Sequence, residues 1–368
     1  MLTFAKHAFD GALDLERDLS GMRVHEIGYL PKPRGGVARW EKIKTLTRRV
    51  RFKMGIFGDP RLAAFLPMRR AGLRLAAERR FDLIVATAPP EVTFMVARSI
   101  ARRTRTPWLA DFRDLWFRDM TLYRSWLAAA AAGPLNRWLV STAENLSTVS
   151  RGLQERLARY LGREVVISYN GFFSGEHAIA GRPAADGLKH IVYTGRLYPG
   201  KRDPEPLFRA LACLGPERGH LKVDFYGHDD PWLRGLVERH GVQDCVTMHG
   251  FVPYRESIAL QRSADVLLFL DWMDVTAEGV LTGKLFEYLG SGRPILALGP
   301  RKNSEAAAII AETGAGVTFT EDGEVARYLK ELVSKKRPAD VPAGAVARFS
   351  RERQAEELLS SITRKAGS

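Results

Sequence analysis

Cysteine is almost absent from this 368-residue chain, which holds only Cys213 and Cys245. Two isolated thiols supply neither a disulfide framework nor a metal-ligand spacing, so a reducing cytoplasm is the expected compartment. Long apolar runs are missing as well. The start, Met1-Leu2-Thr3-Phe4-Ala5-Lys6, lacks the apolar core of a signal peptide. No stretch approaches the roughly 18 uncharged apolar residues of a spanning helix. The nearest, Trp126–Val140, is broken by Gly133, Pro134 and Arg137 and reads as a buried or interfacial helix pair. The chain has no Gly-x-x-x-x-Gly-Lys-Ser/Thr phosphate loop, no internal repeat and no low-complexity tract. Asp271-Trp272-Met273-Asp274 has the wrong context and spacing for a metal-binding Asp-x-Asp, so no metal or other cofactor is expected.

What is present is a soluble composition, 45% apolar and 27% charged, in a chain too long for one ordinary core. Its net charge of +14 is unevenly placed. Residues 1–180 carry 30 Lys and Arg against 17 Asp and Glu, while residues 181–368 carry 26 against 25. The excess, notably Lys42, Lys44, Arg48, Arg49, Arg51, Lys53 and Arg61, would attract anionic lipid head groups or phosphates. An ordinary solvated helix face explains it equally well. Nucleic acid is not an expected partner, because no recognition motif or aromatic platform accompanies the charge.

From about Leu188 short apolar runs alternate with amphipathic ones. Strands are expected at His190–Arg196, Leu221–Gly227, Val246–Val252, Val266–Asp271, Pro294–Leu298 and Gly316–Thr320. Helices are expected at Pro204–Leu214, Pro231–His240, Tyr254–Ala264, Thr282–Gly290, Ser304–Thr313 and Gly323–Val333. Apolar strands each followed by a crossover helix mean a parallel sheet covered on both faces, a Rossmann-like domain. The first half repeats the alternation less cleanly. Its strands read as Met22–Leu30, Asp82–Ala88, Pro107–Asp111, Leu146–Ser150 and Val165–Tyr169, with helices including Phe4–Leu19 and Arg61–Arg79. The expected organisation is α/β with two Rossmann-like domains facing each other across a cleft: residues 1–173, a linker 174–187, residues 188–345, and a C-terminal helix in 346–368. In such folds ligands bind at the carboxyl ends of the strands.

The segment Thr282-Gly283-Lys284-Leu285-Phe286-Glu287-Tyr288-Leu289 lies between two expected strands. A glycine-containing loop entering a helix offers free N–H groups and a positive dipole end, suited to a diphosphate. Thr282 can add a hydroxyl and Lys284 a charge. Glu287, three residues on, shares a face with Lys284 and could accept the hydroxyls of a ribose. A capped helix with a surface Lys–Glu pair is the alternative.

This stretch resembles the nucleotide-sugar site of the family 4 retaining glycosyltransferases of GT-B fold, in a bacterial subgroup with a Gly-Lys-Leu-Phe-Glu-Tyr-Leu core. The resemblance runs from Val24 to Leu359. It implies Glu287 on the ribose, and Glu278, one residue out of the usual spacing, near the transferred sugar. It implies a diphosphate neutralised by Arg196 and Lys201, in and beyond Tyr193-Thr194-Gly195-Arg196-Leu197, without a metal. Gly195, Tyr226, Gly227, Phe251 and Val252 would line the donor with Thr282, Gly283, Lys284 and Leu285. In the first half Asp111-Phe112-Arg113-Asp114 resembles a motif at the cleft edge. Asp111 would orient the acceptor, supported by Arg113 and Asp114, beside a turn like Thr87-Ala88-Pro89-Pro90. An Asp–Arg network capping the next helix is the alternative there. Glu144, Ser150 and Asn170-Gly171 also fall in family order, and the C-terminal helix matches one that crosses back onto the first domain.

The implied activity is transfer of a sugar, with retention, from a nucleotide-diphosphate sugar to a glycan or polyprenyl-diphosphate-linked acceptor. The setting would be cell-surface polysaccharide biosynthesis in the cytoplasm, with peripheral attachment to the inner membrane face. A sugar-nucleotide epimerase, or a binding protein without turnover, are the alternatives. One departure stands out. Relatives begin with a strand and a Gly-Gly loop, whereas this chain reads as starting in the helix beyond that loop. Gly35-Gly36 comes only after the next strand.

Overall fold

A computed structural model describes residues 1–4, 21–28, 60–114, 134–175, 181, 185–227, 230–272, 279, 281–299, 301, 304–334 and 340–366. Lys42 to Lys53, Gly35-Gly36 and Glu278 lie outside them, as does the first part of Trp126–Val140. The chain divides into two compact units. One holds Met1–Val149 with Leu153–Ile167, the other Ser150–Gly152 with Ser168–Ser368.

The first unit contains β1 (Leu2–Phe4), β2 (His25–Ile27), α1 (Phe65–Glu78), β3 (Ile84–Ala88), α2 (Val92–Thr104), β4 (Trp108–Phe112), β5 (Asn145–Thr148), α3 (Arg151–Leu161, whose first residues are counted with the second unit) and β6 (Val166–Ile167). Residues 134–140 are also helical. Strands β3-β4-β5-β6 form a parallel sheet in that order, and β1 pairs in parallel with β2. Phe4 therefore corrects the expectation of a helix running from Phe4: it ends a strand, so a strand does come first in the described chain. The reason is burial. Leu2 and Phe4, on one face of the strand, pack with Ile27 against the Met68, Val96 and Ile100 cluster, which the alternation of three residues could not reveal. The main core of this unit, including Phe94, Trp108 and Leu146, is fully enclosed.

The second unit contains β7 (Lys189–Thr194), α4 (Glu205–Leu214), β8 (Leu221–Tyr226), α5 (Pro231–His240), β9 (Val246–Gly250), α6 (Tyr254–Ser263), β10 (Val266–Leu270), α7 (Gly283–Ser291), β11 (Ile295–Leu298), α8 (Glu305–Glu312), β12 (Gly316–Phe319) and α9 (Asp322–Ser334). The six strands are all parallel, in the order β12-β11-β10-β7-β8-β9. Every residue of β10 and β11 is buried, because helices cover both faces. The two resulting cores lie on opposite faces. Ile191, Val223 and Leu268 belong to one, Val192, Leu267 and Phe269 to the other. The chain leaves β7 toward β8 on one side and returns to its other side at β10, so the carboxyl ends of β7 and β10 mark the switch point.

The C-terminal helix α10 (Arg351–Ala366) belongs to this same compact unit. Phe172 bridges in parallel to Ser350, and the Arg351 N–H donates to the Phe172 carbonyl at 2.8 Å. Gln354 accepts from the Tyr169 N–H, and Arg351 Nε donates to the Gly171 carbonyl. A β-carbon at Gly290, near the end of α7, would collide with the Phe172 ring. Residues 169–174 thus lie against α7 and α10, whereas the sequence reading opened the second domain at residue 188.

Candidate functional site

Helix α7 starts at the switch-point edge. Thr282 caps it, its side chain accepting from the Lys284 N–H at 3.4 Å, and Gly292 closes it in the left-handed region. Leu285, Phe286, Tyr288 and Leu289 are buried, so packing fixes the helix and leaves Gly283, Lys284 and Glu287 on its partly open side. The positive dipole end of the helix then faces any anion bound at this edge.

Lys284 reaches back over the end of β7. Its Nζ lies 3.4 Å from Thr194 Oγ1, 3.8 Å from Glu287 Oε2 and 5.9 Å from the Tyr288 ring centre. Burial pulls this ammonium below the ordinary lysine range; Glu287 opposes that shift and Arg202 adds to it. Gly195 follows with φ +132°, and a β-carbon there would strike Lys284 Cε. Its backbone therefore favours glycine, and a β-carbon would displace the end of the lysine lying across it. At Gly227 a β-carbon would collide with the Gly195 carbonyl, so the two glycines close on each other. The Gly195 N–H donates to the Tyr226 carbonyl at 2.7 Å, and the Gly227 N–H to Gly250 at 2.8 Å.

Arg196 and Lys201 meet around an aromatic pair that the sequence reading did not single out. The rings of Tyr198 and Trp272 are 5.7 Å apart. Arg196 lies 5.4 Å from the Tyr198 ring centre, and Lys201 lies 5.1 Å from that of Trp272. Arg202, also unforeseen, contacts both rings at 5.6 and 5.3 Å. Cation–π contacts of this kind hold charges in place without neutralising them. Trp272 comes two residues after β10 and Tyr198 four after β7, so the pair spans the switch point.

Two supports lie beneath. The buried Tyr288 hydroxyl accepts from the Thr194 N–H at 3.0 Å, and burial raises its phenol strongly. Gln261, fully enclosed, donates from Nε2 to Thr194 Oγ1 at 3.0 Å. Thr194 is thus gripped from two helices. Tyr226, whose phenol burial lifts to about 12, stacks on His249 at 4.4 Å, and His249 Nε2 meets the buried Asp224 at 2.7 Å. Phe251 is exposed and Val252 half-buried just past β9. Only the sheet order brings these strand-end aromatic residues to one edge.

In the first unit the Asp111–Asp114 segment and the Thr87–Pro90 turn come together at the carboxyl ends of β3 and β4. The Arg113 N–H donates to the Ala88 carbonyl at 2.9 Å. Asp111 is only 2% exposed. Its Oδ1 accepts from Ser147 at 2.8 Å, and its Oδ2 from Thr87 at 3.1 Å and Arg113 Nε at 2.6 Å. Arg113 and Asp114 are exposed. The carboxylate is therefore an organising centre, with the arginine and second aspartate presented to solvent. Glu144 is exposed just before β5, and the Ser150 hydroxyl donates to the Gly279 carbonyl. Among the described residues no three His, Cys, Asp or Glu side chains gather as a metal site.

The matches to known proteins follow this division. The description "Glycosyl transferase 4-like domain" fits residues 11–171, and "Glycosyl transferases group 1" fits residues 188–335. No curated protein matches the chain in sequence. Among solved structures, the fold is similar to sucrose-phosphate synthase from Thermosynechococcus elongatus. The TM-score is 0.54 and identity 15%, covering 100% of this chain and 86% of that one. It is similar to the lipopolysaccharide outer core galactosyltransferase WaaB, with a TM-score of 0.55 and 12% identity over 99% and 98% of the chains. It is also similar to the pneumococcal O-GlcNAc transferase GtfA in complex with UDP and GlcNAc, at 0.51 and 16% over 80% and 59%. Two parallel-sheet units, a basic helix-start site at the second unit's switch point and both domain matches agree: the chain belongs to the family 4 glycosyltransferases of GT-B fold.

Proposed function

We propose that the protein transfers a sugar, with retention, from a nucleoside-diphosphate sugar to a glycan or polyprenyl-diphosphate-linked acceptor. The observation that carries the donor is Lys284, drawn over Gly195 at the start of α7, with Arg196, Lys201 and Arg202 around the adjacent aromatic pair. The diphosphate lies against the first turn of α7 and Lys284. Glu287 takes the ribose hydroxyls, and the main chain at Phe251 and Val252 meets the base beside Tyr226 and Gly227. Glu278 attends the transferred sugar.

As the bond between the anomeric carbon and the diphosphate breaks, negative charge grows on the leaving oxygen. Arg196 and Lys201 stabilise that charge in the role a metal fills elsewhere. The acceptor oxygen bonds to the anomeric carbon on the same face, and its proton passes to the departing diphosphate. Asp111 orients the acceptor through Arg113 and Asp114. The work is done in the cytoplasm, against the inner membrane surface, in cell-surface polysaccharide synthesis.

The test is incubation with a panel of nucleotide sugars and lipid-phosphate acceptors, with free nucleoside diphosphate and anomeric configuration both read. Release of nucleoside diphosphate with an α-linked product from an α-linked donor is expected. An epimerised donor with no transfer product, or an inverted product, overturns the reading.

A further inference from the structure

On the first unit, away from the strand ends that carry Asp111, lies a groove of about 410 Å³ between α1, α2 and the helical residues 134–140. Helix α2 leaves the carboxyl end of β3 and runs back toward the amino-terminal edge of the sheet. Its second half, with Arg98, Arg102 and Arg103, is therefore remote from the Asp111–Asp114 segment. These three line the groove with Arg69 and Trp138, and among the described residues no acidic one lines it.

Arg98 is the unusual member. It is only 8% exposed, yet among the described residues no carboxylate pairs with it. One guanidinium nitrogen, Nη1, donates to the hydroxyls of Ser141 and Thr142 at 3.0 and 3.1 Å. Its Nε and Nη2 have no hydrogen-bond partner among the described residues. The Trp138 ring stacks on it, 4.3 Å from Cζ to the ring centre. Burying an arginine without a counter-charge is costly, and a fork of free donors facing a groove fits a phosphate. Both desolvation and the neighbouring Arg102 pull its guanidinium down, as expected for a charge whose partner comes from outside.

The other three arginines are likewise without a carboxylate partner among the described residues; Arg69 Nε donates to Ser99 Oγ at 2.7 Å. Residues 65–105 as a whole carry nine arginines against three carboxylates. The rim is apolar as well as basic. Trp138 is 54% exposed, and Phe65, Met95 and Leu139 also line the groove. A soluble phosphate would need the cations alone. An exposed tryptophan beside a cationic pocket with apolar walls suits an interface in which the phosphate is attached to hydrocarbon.

We propose that this groove docks an anionic phospholipid head group, with Arg98 holding the phosphate and Trp138 entering the interface. This places the membrane contact of the proposed function on described residues, and it stands or falls independently of the donor site. Arg102 and Arg103, both exposed, supply the attraction to the surrounding anionic surface.

The test is co-sedimentation of the full chain with phosphatidylcholine vesicles, with and without phosphatidylglycerol, and with brominated acyl chains to quench tryptophan. Wild-type binding should require the anionic lipid. The double substitution Arg102→Glu/Arg103→Glu should weaken it about thirtyfold or more, on the usual scale of charge attraction to such surfaces. Trp138→Phe should remove the brominated-lipid quenching while Arg98→Met lowers binding. A nucleoside-diphosphate thermal shift equal to wild type's serves as the control that each variant is folded. If wild type shows no such shift but binds vesicles through the groove, the donor reading fails and this one survives. Binding indifferent to phosphatidylglycerol overturns the proposal, as do groove variants that bind like wild type. So does single-stranded DNA, or inorganic phosphate alone, competing fully with vesicles for the groove.

Discussion

Lys284→Met separates binding from stability in opposite directions. In the folded chain the ammonium is pulled below the ordinary lysine range by burial, and Glu287 at 3.8 Å recovers only part of that loss. Methionine keeps the length of the stem over Gly195 and removes the desolvated charge. Glu287 remains partly open to water, so leaving it unpaired costs little. The unliganded protein should therefore melt at the wild-type temperature or slightly above it, because the ammonium loses more by desolvation than the half-open Glu287 returns to it. Ligand binding should move the other way. A charge-assisted hydrogen bond to a diphosphate contributes about 1.5–3 kcal/mol, which corresponds to a roughly ten- to hundredfold loss of affinity. Isothermal titration with UDP and GDP, beside thermal melts with and without them, reads both quantities. Affinity within about twofold of wild type for every nucleotide that wild type binds would refute the placement of the diphosphate at α7. A large drop in the unliganded melting temperature would refute the account of Lys284 as a desolvated charge.

Three other outcomes follow from the same edge. Gly195→Ala forces a β-carbon onto Lys284 Cε at φ +132°, so nucleotide affinity should fall at least tenfold, with a stability loss of about 1–3 kcal/mol in urea melts. Tyr288→Phe leaves the buried Thr194 N–H without its acceptor, costing about 1–3 kcal/mol of stability by the same measurement. The lowered pKa of Lys284 means that its proton is lost earlier than an ordinary lysine's as pH rises, so donor affinity should decline on the alkaline side before the usual lysine range. A bound diphosphate favours the charged form, so titrations in that pH region should show proton uptake on binding, seen as a heat that depends on buffer ionisation. For stability the sign is reversed. The unfolded lysine holds its proton longer than the folded one, so this group makes the fold more stable as pH rises through the lowered pKa.

The second unit was legible because its strands are apolar throughout and its helices amphipathic. Val266–Leu270 and Ile295–Leu298 could be nothing but covered strands, and Pro231–His240 was read to the residue. The GT-B fold class and the glycosyltransferase family were equally legible, from a short run of residues around Lys284 and Glu287. Tyr198, Arg202 and Trp272 were missed because their meeting depends on β10 returning beside β7, a crossover that local pattern does not contain. Tyr288 was hidden differently: in sequence it continues the apolar face of α7, and only the Thr194 N–H shows what its hydroxyl is for. Phe4 was assigned to a helix because the residues after it read as one, whereas the packing of Leu2 and Phe4 on Ile27 and Met68 holds the first residues extended. At Asp111 an Asp–Arg network could be read from the sequence, but not the Thr87 and Ser147 hydroxyls that complete it from neighbouring strands.

The wedge of Phe172 against Gly290 has a consequence for anyone exchanging donor specificity between such enzymes. Helix α7, which opens the proposed nucleotide site, is held at its far end by residues that precede the second sheet and by the last helix of the chain. A graft cut at the sheet's own limits, residues 188–345, would carry the first turn of α7 but leave its anchorage behind. The heritable cassette is the discontinuous set of residues 168–174 and 188–366. A chimera built on that set should retain nucleotide binding that the shorter graft loses.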